Sequence, residues 1–224
     1  MMNKKIMVTF IFVAIMVSSV VDAYDNVDTH PRITKTSAPA SKLDVFLKQN
    51  LGMVNGFKSA VRGKQIIDWL QEGSYAEDTP PCRAVNHFHN PLLPWDQSFM
   101  SDDISGDAYL VRQWCEGWGW RYQDRRSAIT WATAYLAPPP SGEKVNFSRD
   151  MSTSPFTWDL ARHYYHQALT LKTKEYRDQY FAATFKTVGH VLHLLQDMGV
   201  PAHTRNDFQS HLFRTSDKSY KYLA

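Results

Sequence analysis

Toward its C-terminal end the chain carries a run that reads as a helix and has ionisable groups set into its apolar face. Lys174 to Met198 follows helical spacing, and Val188, Val191, Leu192, Leu195 and Met198 form a broad stripe with His193 inside it. His193 and Asp197 are four residues apart, so on a helix they share one face, with Cβ atoms about 5–6 Å apart. A buried imidazole beside a buried carboxylate needs a partner, and a cation is one. A surface His–Asp pair is the ordinary alternative, but the flanking stripe argues against it. Gly199 and Pro201 then stop the helix, since glycine tolerates left-handed backbone and proline cannot continue the ladder. His203 lies just past the break, where a loop can turn it back toward the same place.

The rest of the chain agrees with an all-α fold. Gly56 to Glu72 places Phe57, Ala60, Val61, Ile67 and Leu70 at helical period, with Gly73 as terminator. A short helix is expected over Ser41 to Asn50, whereas Pro31 and Pro39 discourage helix before it. Ser105 to Trp118 and Gln123 to Leu136 read as helices, and Ser154 with Pro155 opens another that runs to about Leu171. No strand pattern or internal repeat emerges. Residues 74–104 form a long, polar, proline-rich stretch, and loops of that length usually carry function. The expectation is a single multi-helix domain with long metal-carrying loops.

Residues 1–23 read as an export signal: Lys4 and Lys5, an apolar run from Ile6 to Val21, and Val21-Asp22-Ala23 as a cleavage site. The run is short for a membrane anchor. The mature domain is then 24–224, exported to the periplasm or secreted. Removing Lys4, Lys5 and Asp22 leaves 23 basic and 21 acidic residues, a balance of +2. That is too small to imply nucleic acid or anionic membrane as a partner. Cys82 and Cys115 are the two cysteines. An exported chain can join them or bury them as free thiols.

Several ionisable residues form a pattern. His30 lies six residues after the expected mature start, Asp78 and His87 sit in the long loop, and His193, Asp197 and His203 close the set. Mixed imidazole and carboxylate ligation suits zinc or a similar borderline cation, and Asp197 is placed to bridge two. His89, His163, His166 and His190 read as packed or solvated side chains.

Leu192-His-x-x-x-Asp197 followed by Pro201-x-His203, together with Gly73-Ser-Tyr-Ala-Glu-Asp78 and Asn86-His-Phe-His-Asn-Pro91, resembles the bacterial zinc-dependent phospholipase C family and its wider superfamily with single-strand nucleases. The resemblance implies up to three zinc ions. Asp78, His87, His193 and Asp197 would hold one. The amino group and carbonyl of Tyr24, with His30 and the bridging Asp197, would hold another. His203 would start the third, with His211 as its later ligand. The family places Trp where Tyr24 stands, and an acidic residue one turn after its last His, where this chain has Thr215. The third site is therefore expected to be incomplete, or to draw on residues beyond Ala224.

The chemistry expected of such a cluster is phosphodiester hydrolysis. A cation lowers the pKa of bound water to about 7, and the resulting hydroxide attacks in line. Asp78 is the candidate general base, and Arg83 and Arg205 are candidates to steady the phosphate or to serve as ordinary ion-pair residues. A phospholipid substrate calls for an apolar rim such as Phe88, Leu92, Leu93 and Trp95, with transient contact with a membrane surface. A nuclease or nucleotidase calls for aromatic platforms such as Trp95, Trp114, Trp118 and Trp120. A third reading is an inactive exported module that keeps its metals for stability.

Overall fold

In the computed structural model the described residues are 28–79, 81–100, 126–134, 145 and 156–207. Among them the backbone is mostly helical, as the periodicity leads one to expect. The α-helices are α1 (Thr29–Ser37), α2 (Leu43–Asn50), α3 (Ile66–Ala76), α4 (Ala128–Thr133), α5 (Trp158–Thr170), α6 (Lys174–Asp197) and α7 (Pro201–Thr204). Short 3-10 turns cover Ala38–Ala40, Gly56–Lys58 and Pro81–Asn86. Ser105–Trp118, the Ser154-Pro155 start, Trp114, Trp118, Trp120, Tyr24 and His211 lie outside the described residues.

Helix α6 is the element the others share. It packs against α3 and against α5. Ala182 and Phe185 join Leu47, Phe57, Ile66 and Leu70 in one core cluster. Tyr180 and Ala183 join Leu160 and Tyr164 in a second, and Leu194 joins Ala128 and Trp131 in a third. Each large apolar side chain fully buried this way contributes about 1.5–3 kcal/mol. Thr173 caps α6 by accepting from the Tyr176 N–H, and Thr157 caps α5 by accepting from the Leu160 N–H.

Local structure departs from the sequence expectation in five places. Residues 29–37 are helical despite Pro31, because proline in a first turn loses only an N–H that has no intrahelical partner anyway. The helix expected over Gly56 to Glu72 divides into a 3-10 turn, a hairpin and the start of α3. The strands β1 (Ala60–Val61) and β2 (Lys64–Gln65) pair antiparallel, so a small sheet does exist. Their two-residue turn places both Arg62 (φ 49°) and Gly63 (φ 80°) in left-handed backbone, which matches hairpin twist. A reciprocal capping box of Gln65 and Asp68 then starts α3.

Gly73 does not end α3, which runs on to Ala76. A Cβ on Gly73 would fall on the Lys186 carbonyl oxygen, and one on Gly189 would fall on the Leu70 carbonyl oxygen. The two glycines let α3 and α6 cross backbone to backbone. Gly199 is not left-handed; α6 stops at Asp197, and Pro201 opens the short α7.

The expected apolar stripe at the end of α6 holds for Val188 and Leu192, packed on the first core cluster, and for Met198, packed on the third, but one member departs. Leu195 is 67% exposed, whereas His190, His193 and Asp197 are 0%, 1% and 2% exposed. The close crossing with α3 turns the polar side of α6 inward.

Candidate metal centre

Five segments each bring one or two ionisable side chains to the polar end of α6. His30 comes from α1 and Asp78 from just past α3. His87 follows the 3-10 turn Pro81–Asn86, His193 and Asp197 lie on α6, and His203 on α7. All six residues named from the sequence as ligands within the described residues therefore converge.

Asp197 stands at the centre, with its two oxygens facing different partners. Oδ2 lies 3.0 Å from His87 Nδ1 and 3.3 Å from His193 Nε2. Oδ1 lies 3.4 Å from His30 Nε2 and 3.6 Å from His203 Nε2. Asp78 closes the first side, with Oδ1 3.5 Å from His87 Nδ1 and Oδ2 3.6 Å from His193 Nε2. His203, expected to begin a separate position, thus faces the same carboxylate oxygen as His30. The ligand atoms of His30, Asp78 and His193, and those of His87, His193 and Asp197, lie within 4.8 Å of one another.

Each ring is turned by a fixed partner. His193 Nδ1 donates to the Ser74 carbonyl at 2.6 Å, and His203 Nδ1 to the His87 carbonyl at 3.0 Å. His30 Nδ1 donates to Gln196 Oε1 at 2.9 Å, and Gln196 Nε2 donates in turn to Thr34 Oγ1. These three bonds leave Nε2 of each ring as the lone-pair nitrogen, and Nε2 faces the carboxylates. His30 stacks on His193 with ring centroids 3.8 Å apart, a contact that suits neutral rings better than two cations. The His89 N–H donates to the His203 carbonyl, so residues 87–89 and α7 are laced together in both directions.

Charge makes the arrangement costly without a cation. Two carboxylates sit in the cluster, and among the described residues neither has a Lys or Arg partner. Asp197 Oδ2 and His193 Nε2 are buried without a hydrogen-bond partner, although they lie 3.3 Å apart. Two ligand atoms about 2.1 Å from one ion stand about 3.0 Å apart at a right angle and about 3.4 Å apart at a tetrahedral angle. The observed separations of 3.0, 3.3, 3.5 and 3.6 Å around His87, His193, Asp78 and Asp197 match those edges. The cluster could hold a metal ion, and a divalent one would offset its two negative charges.

The surroundings of each ionisable group carry the same imbalance. Burial disfavours the charged ring of His87, yet Asp197, Glu77 and Asp78 outweigh it and raise its pKa to about 10. His193 is also raised, with burial overcome by Asp197 and Asp78. Burial opposes the Asp197 carboxylate, but His193 and His87 hold it well below the usual range. His30 is lowered by burial and by His193. Protons thus stand in where a cation would.

A second buried polar group, not expected from the sequence, adjoins this cluster. Glu77, fully buried, accepts from Arg83 on both oxygens (2.7 and 2.6 Å) and from Trp131 Nε1 at 2.8 Å. His190 Nδ1 donates to its Oε2 at 2.6 Å, and the His190 ring stacks on Phe156 at 3.9 Å. Burial would raise the Glu77 pKa, but Arg83, His190 and His87 hold it well below the usual range. Burial pushes His190 down to about 4 despite Glu77. The available signal was spacing. His190 and His193 lie three apart on α6, and each takes a partner from the α3 side: Glu77 for the first, Ser74 for the second. Arg83, a candidate either to steady a phosphate or to form an ordinary ion pair, takes the second role: it is fully buried against the Glu77 carboxylate six residues away. Arg205 is half-exposed, 3.7 Å from Asp207.

Cys82 is buried and disulfide-bonded; Cys115, the other cysteine of the sequence, lies outside the described residues. Beyond the cluster, Leu92, Leu93 and Trp95 are exposed on a loop that Asn90 N–H and the Ser98 carbonyl close. Among the described residues no helix is long and apolar enough to cross a membrane. The chain matches no protein-family model, no curated protein and no solved structure.

Proposed function

We propose that this chain is an exported zinc-dependent phosphodiester hydrolase of the phospholipase C kind. The observation that carries the reading is the convergence of four imidazoles on two carboxylates that, among the described residues, no Lys or Arg neutralises. Imidazole and carboxylate together suit zinc. A divalent ion in such a site lowers the pKa of water and offsets the charge that gathers on a phosphate ester during displacement.

The chain's own groups set the rest. Asp78, 20% exposed at its side chain against 2% for Asp197, is the carboxylate open to entering water, and it is placed to take a proton from it. Asp197, whose two oxygens face different imidazoles, would hold two positions together. The carbonyls of Ser74 and His87 and the amide of Gln196 keep three rings in the tautomer that offers Nε2. A lipid substrate is favoured by Leu92, which is 90% exposed, and by Leu93 and Trp95, exposed on the loop that leaves the cluster at His89. Apolar and Trp side chains of this kind favour the water–lipid boundary.

The test is metal analysis of the mature protein followed by assays on phosphatidylcholine and on single-stranded DNA. Bound zinc with turnover of the lipid is the expected result. Turnover of DNA alone would move the assignment to a nuclease, and bound zinc with neither activity would make the metal structural. N-terminal sequencing should find Tyr24 first.

A further inference from the structure

His87 differs from its neighbours in which nitrogen it offers. His30, His193 and His203 tie up Nδ1 and present Nε2, whereas His87 presents Nδ1, 3.0 Å from Asp197 Oδ2 and 3.5 Å from Asp78 Oδ1. Its Nε2 turns away, toward Glu77 Oε1 at 3.7 Å, and is buried without a hydrogen bond. A small rotation of the ring closes that gap, and such contacts are often long before a site is loaded.

We propose that Glu77 is the positioning residue of the cation site: it takes the Nε2–H of His87 and so fixes the ring to offer Nδ1. This rests on the reading of His87 as a ligand. The geometry around Glu77 suits the task. Its carboxylate is immobilised by Arg83 on both oxygens, by Trp131 on Oε1 and by His190 on Oε2. Arg83 in turn donates through Nε to the Glu77 carbonyl and lies over the Trp131 and Phe156 rings at 5.2 and 5.4 Å. Glu77 also directly precedes Asp78, so one turn of backbone places a ligand and the group that aims another. A carboxylate behind a ligating imidazole fixes its tautomer and raises its basicity, and losing it typically costs 10–100-fold in metal affinity.

Glu77→Ala alone would strand the buried Arg83 charge. The informative variants are the double substitution Glu77→Met with Arg83→Met, which leaves no uncompensated charge, and Glu77→Asp, which keeps the charge but withdraws it by one methylene. Cadmium NMR on protein with isotopically labelled imidazoles reads which nitrogen meets the ion, and chelator competition reads zinc affinity. In the unaltered protein cadmium should couple to His87 Nδ1 and His193 Nε2. The double variant, folded by circular dichroism, should lose the His87 coupling, keep that of His193 and bind zinc at least tenfold more weakly; Glu77→Asp should fall between. Unchanged affinity with His87 still coupled through Nδ1 in both variants would overturn the role of Glu77 alone. Coupling through His87 Nε2 in the unaltered protein would do the same. No cadmium bound by the unaltered protein would overturn the metal reading and this inference with it.

Discussion

Two polar clusters lie side by side under the end of α6, and they solve the problem of buried charge in opposite ways. Around Glu77 every oxygen has a donor, and one carboxylate meets one guanidinium. Around Asp197, among the described residues, two carboxylates meet only imidazoles, and Asp197 Oδ2 and His193 Nε2 have no hydrogen-bond partner. The first cluster is complete in itself. The second is complete only with added positive charge, from protons or from a metal. That difference separates a scaffold from a site more clearly than burial does, since Glu77 and Asp197 are both buried.

The comparison can be broken most forcefully at Arg83. Arg83→Met leaves Glu77 buried and unpaired, so unfolding free energy should drop by about 3–5 kcal/mol; adding Glu77→Met should restore most of it, as replacing both partners of a buried pair often does. Urea titrations of the three proteins check this, and a single variant within about 1 kcal/mol of the parent would show that the pair is not what neutralises Glu77.

Acid and alkali should then separate the two clusters in the metal-free protein. Unfolded His190 takes a proton near 6.5, but the folded ring does so only near 4. Across that window the unfolded state binds more protons, so stability is full above about 6.5 and falls on the way to about 4. Glu77, held below its usual 4.5, loses its contribution on further acidification. His87 runs the other way. Its folded pKa near 10 lies above 6.5, so its contribution is full below 6.5 and is lost as pH rises toward about 10. Each group changes stability by at most about 1.4 kcal/mol per pH unit. Zinc should abolish the alkaline loss by displacing the protons and should leave the acid loss from His190 in place. Chemical denaturation across the pH range with and without zinc measures both limbs.

The smallest effect is expected at Leu195. Placed in the core stripe by sequence, it is exposed, so Leu195→Ser should change stability by less than about 0.5 kcal/mol. A loss of 2 kcal/mol or more in thermal or urea unfolding would return it to the core.

The pattern of what the sequence revealed follows from these contrasts. Ligand candidates were legible because imidazoles and carboxylates at helical or short-loop spacing have few other uses inside an apolar frame. The helical class was legible from period. The backbone-to-backbone crossing of α3 and α6 was not, because Gly73 and Gly189 look like ordinary breakers until a crossing helix is placed against them. Helix α1 was hidden by Pro31, whose position in a first turn is visible only once the helix start is known. Glu77 was passed over because its meaning depends on Arg83, Trp131 and His190, up to 113 residues away.

The metal reading stands or falls with Asp197 and its imidazoles. Calorimetric titration of zinc into metal-free protein and into Asp197→Asn tests it most directly. Binding should release protons near neutral pH, because the metal displaces the proton that His87 holds, and affinity should fall by more than about a hundredfold in the variant. Equal affinity in both proteins, or no binding in the parent, would contradict it.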